Sequence, residues 1–77
     1  MNTIKDLRVE QLRDGHVLIL GDYACRYRVH RIRKCIDDIS GSPVKAVAVL
    51  VSRLDRPMHP LEEFAFPLGF VVAVAML

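Results

Sequence analysis

Residues 25–35, CRYRVHRIRKC, carry two incompatible hydrophobic phases, and the one the chain adopts decides the fold. At helical spacing, Cys25, Val29, Ile32, Ile36 and Ile39 fall on one narrow stripe. Asp22 then stands as N-cap, and Gly41 with Pro43 marks the exit. At strand spacing, Cys25, Tyr27 and Val29 share one face, and Arg26, Arg28 and His30 share the other. That alternation slips at Ile32, which lands on the Arg28 side. A bulge near His30–Arg31 would return Ile32 to the core, as happens in small curved barrels. Periodicity alone slightly favours the helix.

The flanking segments read mostly as strands. HVLIL, 16–20, is a compact apolar run closed by Gly21-Asp22, and VKAVAVLVS, 44–52, is apolar on both faces. Ser40-Gly41-Ser42-Pro43 is the clearest internal break, and LDRPMHP, 54–60, is a loop set by Pro57 and Pro60. EEFAF, 62–66, and FVVAVAML, 70–77, are two strands around the turn Pro67-Leu68-Gly69. Residues 3–14 suit a short strand or a helical turn equally. No repeat or low-complexity tract interrupts the pattern.

The chain has 77 residues, enough for a single small domain, and 52% of them are hydrophobic. A domain of this size buries only about 60% of the surface its unfolded chain exposes, so excess apolar surface calls for a cover. A second copy or another protein is the economical cover. The net charge is only +2, so attraction to a polyanion has to come from a local patch. Two cysteines without a Cys-x-x-Cys pair, and no N-terminal apolar leader, suit a reducing, cytoplasmic setting. The C-terminal apolar run is too short to span a bilayer and is broken by Pro67 and Gly69, so no membrane is expected.

Taken together, LRDGHVLILGDYACRYRV (12–29), KAVAVLVSRLD (45–55) and EEFAFPLGFVVAV (62–74) resemble the N-terminal SH3-like, KOW-type barrel of the elongation factor P family and its hypusine-containing relatives. The matching features are a Leu-x-x-Gly opening, a long third strand and a Phe-x-x-Gly closing hairpin. The resemblance spans residues 6–76. It implies a mostly β fold, a five-stranded SH3-like barrel, and a tendency to bind RNA or ribonucleoprotein. The alternative is an α+β fold, with a three-stranded sheet covered by an amphipathic helix at 23–40. In that family the loop between the second and third strands carries a modified basic residue. Here the corresponding stretch, CIDDISGSPV (35–44), has two aspartates and no lysine, and Lys45 lies in the following strand. That part of the family's function is not carried over.

The chemistry points the same way. Arg26, Arg28, Arg31, Arg33 and Lys34 could grip phosphates, with Tyr27 or His30 stacking on a base. The plain alternative is a solvated face whose charge is answered by Asp22, Asp37 and Asp38. Ala46, Ala48, Ala73 and Ala75 would form a smooth outer patch suited to a protein partner or a second copy. Cys25, Cys35, His16, His30 and His59 supply metal-ligand types, but no pair has knuckle spacing, so no metal or other cofactor is expected. Ser40, Ser42 and Ser52 lack a nucleophile elbow. Glu62 and Glu63 would point to opposite faces of a strand, and no Gly-rich phosphate loop is present. These features favour a binding module over an enzyme.

Overall fold

The computed structural model describes residues 3–21, 23–39 and 41–76. Six strands form one antiparallel sheet: β1 (Thr3–Arg8), β2 (Val17–Leu20), β3 (Cys25–Ile39), β4 (Ser42–Arg53), β5 (Glu62–Pro67) and β6 (Val71–Met76). Their spatial order is β1-β6-β2-β3-β4-β5. A 3-10 turn, Val9–Gln11, follows β1, so residues 3–14 contain both a strand and a helical turn. Among the described residues, no helix is long and apolar enough to cross a membrane.

Residues 25–39 are a strand, which overturns the α+β alternative with its helix at 23–40. Tertiary pairing outweighs the helical stripe, because this segment lies between two partners. Residues 25–28 pair with β2, and most of its length pairs with β4. The phase slip is absorbed where the alternation required it. Val29 opposes Val51 and Arg31 opposes Leu50, so His30 is the extra residue of a bulge. Ile32 thereby comes opposite the buried Val49 and packs against the core. The expected N-cap Asp22 and the break residue Ser40 lie outside the described residues.

The core occupies one side of the sheet. Val9, Leu12, Leu18, Val29, Val47, Val49, Val51, Val72 and Val74 are buried together, with Leu7, Leu20, Tyr27, Ile32, Phe64 and Phe66 packed around them. Tyr27 meets Phe64 edge-on at 5.3 Å, and Phe66 stacks on Phe70 at 5.4 Å. No polar side chain is buried among the described residues.

The short β5–β6 link forces the sheet to roll. In a flat sheet these strands would lie about 19 Å apart, with three strands between them at the usual spacing. Yet only Leu68, Gly69 and Phe70 join them, in a turn whose Phe70 N–H donates to the Pro67 carbonyl at 3.1 Å. Such a turn keeps its ends within about 7 Å, so the sheet curls around its core. The two strands do not form a hairpin with each other: β5 pairs with β4, whereas β6 pairs with β1 and β2. The strand count is six rather than five. No ladder joins β5 to β1 among the described residues, so the sheet is rolled but open.

The roll is fastened where the 3-10 turn meets the β5–β6 turn. The Val9 N–H donates to the Phe70 carbonyl at 2.9 Å, and the Gly69 N–H donates to Glu10 Oε1 at 2.6 Å. That second bond is the main reason the Glu10 carboxyl titrates below the ordinary glutamate value. The folded-state pKa is depressed, so this stability is fully present above about pH 4.5 and is lost as acid protonates Glu10. Glu10→Ala should therefore melt below the wild type at neutral pH. The gap between the two Tm values should narrow as the pH falls below the ordinary glutamate range, as followed by circular dichroism.

The β2–β3 turn holds Ala24 at φ +52°, a left-handed conformation that disfavours a side chain. Ala24→Gly should relieve that penalty by more than the entropy glycine adds. A net gain of about 0.5–1 kcal/mol would raise Tm by roughly 2–8 °C in thermal melts.

Candidate nucleic-acid interface

The bulge divides the basic segment between two faces. Residues opposite each other on neighbouring strands share a face. Tyr27, Val29 and Ile32 face the core, so Arg26, Arg28, Arg31 and Arg33 lie on the outer face, opposite Ile19, Ser52, Leu50 and Ala48 respectively. His30 reaches the same face, its Nε2 lying 2.7 Å from the Ser52 Oγ. All five side chains are exposed, and they form one row along β3.

Two of the residues expected in this surface are elsewhere. Tyr27 is half-buried against Phe64 on the core side and cannot stack on a base. Lys34 faces inward beside Ile32 and Ile36, along an open groove of about 570 Å³ that Lys45 and Leu68 also line. A strand separates adjacent residues by face, and the bulge shifts which ones share the arginine side.

The charges on the row differ in how they are answered. Arg33 reaches across β4 to Glu63 on β5, with Nη2–Oε1 2.9 Å and Nε–Oε2 3.4 Å. This hydrogen bond, with the carboxylate's charge behind it, raises the Arg33 pKa. Arg26, Arg28 and Arg31 have no ion-pair partner among the described residues. Asp37 shares their face, but at the far end of β3, opposite Val44. Glu62 and Glu63 do point to opposite faces: Glu63 holds Arg33, and Glu62 Oε1 meets His59 Nε2 at 3.0 Å.

The alanines do not form an exposed patch. Ala46, Ala48 and Ala75 are buried at 1%, 2% and 8% exposure, and Ala73 is half-buried. Their methyl groups lie below taller neighbours on the adjoining strands. Cys35 and Pro67 flank Ala46, Ile4 and Val17 flank Ala75, and the Arg33–Glu63 pair crosses the sheet at Ala48 and Leu50. On β1 and β6, Ile4 and Val71 protrude on this face, 60% and 54% exposed.

At one end of the row, the β2–β3 turn presents Tyr23, 92% exposed, beside Arg26 in an open depression of about 660 Å³. Arg53 borders it, gripping Asp55 with both Nε and Nη2 at 3.1 and 3.0 Å. The bond from Arg53 holds the Asp55 carboxyl below its ordinary range. Arg53 is therefore a neutralised wall, and Tyr23 is the accessible ring. The sequence put Tyr23 at the start of the ambiguous segment 23–40 and gave no sign of its neighbours. Ser52 and Glu63 also join the surface only through strand pairing.

Cys25 and Cys35 are free and half-buried. The alternation puts them on opposite faces of β3, with Cys25 opposite Leu20 and Cys35 opposite Ala46. No group of three or more His, Cys, Asp and Glu side chains comes together among the described residues. Comparison of the chain with protein-family models, with curated proteins and with solved structures finds no match.

Proposed function

We propose that the protein is a non-catalytic module that binds nucleic acid, RNA foremost, through the outer face of β3. The observation that carries this reading is the row of Arg26, Arg28 and Arg31, exposed on one face and without carboxylate partners among the described residues. Successive outer positions on a strand lie about 6.7 Å apart, so long guanidinium side chains can follow a phosphate backbone in file. His30 adds a polar ring in the middle of the row, and Arg33 adds a charge shared with Glu63. Tyr23 takes the stacking role at the row's end, because every base offers a π-face to an exposed ring. The rolled sheet and its bulge suit a relative of the SH3-like barrels that the sequence resembles, working in the cytoplasm on RNA or ribonucleoprotein.

A protein partner is the second reading. Ile4 and Val71 protrude on the same outer face, beside the half-buried Val17, Ile19 and Ala73. In that arrangement the arginines would orient a partner rather than bind phosphate.

Fluorescence anisotropy with single-stranded RNA and DNA oligonucleotides separates the two. Three to four phosphate contacts predict an affinity loss of about 20–50-fold between 50 and 200 mM salt. Arg26→Ala/Arg28→Ala/Arg31→Ala should abolish most of the binding and flatten the salt dependence while keeping the wild-type circular dichroism. Tyr23→Ala should weaken binding about fivefold or more and leave the salt slope unchanged. Wild-type protein that binds neither oligonucleotide, or binds with no salt dependence, would sink the nucleic-acid reading.

A further inference from the structure

The β3–β4 hairpin extends beyond both its neighbours. β2 pairs with β3 only through Arg28, and Val29 makes the last backbone contact on that side, with Gly15 and His16. From residue 30 to residue 39, the edge of β3 away from β4 has no backbone partner among the described residues. An edge of this length is a template for another strand, and single domains normally shield such edges.

The side chains along this edge indicate which strand fits. Positive charge comes first, in Arg31, Arg33 and Lys34, and negative charge follows, in Asp37 and Asp38. Run antiparallel against itself, the segment sets its basic half against its acidic half. Lys34, Asp37 and Asp38 have no ion-pair partner among the described residues. Between the two halves Ile36 is 73% exposed, an apolar side chain with nothing covering it.

We infer that two copies of this chain pair edge to edge along β3, antiparallel, about a two-fold axis at Ile36. In that register Ile36 meets the partner's Ile36, and Lys34 lies directly opposite the partner's Asp38, twice by symmetry. Lys34, Ile36 and Asp38 share the inner face, as the pairing of Ile36 with Lys45 and of Lys34 with Val47 requires. On the outer face Arg33 lies diagonal to the partner's Asp37. The interface is isologous and closes on itself, so it yields a dimer and not a fibre. It also joins the two rolled sheets with their outer faces on one side, so the two arginine rows lie on the same surface and run away from the two-fold axis in opposite directions. The inference is independent of whether those rows bind nucleic acid.

Sedimentation velocity on the free protein, without nucleic acid, reads the contact directly. The wild type should show a concentration-dependent monomer–dimer equilibrium. Lys34→Asp alone and Asp38→Lys alone each set like charges opposite each other at two symmetric places, and each should weaken dimerisation about tenfold or more. The doubly exchanged chain, Lys34→Asp with Asp38→Lys, restores opposite charges and should recover the wild-type equilibrium within about threefold. Both positions are exposed, so unchanged circular dichroism in all three variants would show that the hairpin is intact. A wild type that stays monomeric throughout its soluble range would overturn the inference. So would a dimer indifferent to the single reversals, or one that the double exchange fails to restore.

Discussion

The turn between β5 and β6 imposes the constraint on which the rest of this structure depends. Two strands separated by three others in the sheet are joined by Leu68, Gly69 and Phe70 alone, and the chain can satisfy this only by rolling the sheet. Rolling gives the valines of β3, β4 and β6 a common interior. It also brings the 3-10 turn onto the link, where the Val9 and Gly69 amides find their acceptors. A thin domain that buries no polar side chain among the described residues relies on such a geometric closure to gather its apolar surface.

The bulge at His30 connects this closure with the surface. Fifteen residues of straight strand would measure about 46 Å, longer than the molecule's greatest extent of 40 Å. β3 must therefore bend, and a bulge both bends a strand and resets its alternation. Ile32 returns to the core, and Arg31 and Arg33 stay on the outer face with Arg26 and Arg28. The same local irregularity thus produces a continuous basic row and a complete core.

Beyond the bulge β3 outruns β2, and the two properties proposed for this chain separate along one strand. The part paired with β2 carries Arg26 and Arg28 on a sheet backed by the core, which suits a fixed surface for phosphates. The projecting part carries the exposed Ile36 and a charge pattern that matches its own reverse. A self-paired edge would bury the surplus apolar surface that a chain with 52% hydrophobic residues has difficulty hiding alone.

Much of this was legible in the sequence because it is local. Short apolar runs marked HVLIL, VKAVAVLVS and the two C-terminal strands, proline and glycine marked their breaks, and the slip at Ile32 required a bulge near His30–Arg31 if the segment was a strand. Periodicity by itself leaned toward a helix at 23–40. Only pairing with β2 and β4 decided against it, since helical stripe and strand pairing compete for the same apolar residues. Tertiary structure alone turned Tyr27 and Lys34 away from the arginine row, sank Ala46, Ala48 and Ala75 beneath taller neighbours, and tied Arg33 to Glu63 thirty residues away. The spatial order of the strands and the separation of β5 from β6 were equally out of reach. A tight turn usually announces a hairpin, and here the roll, a property of the whole sheet, sends its two strands to different partners.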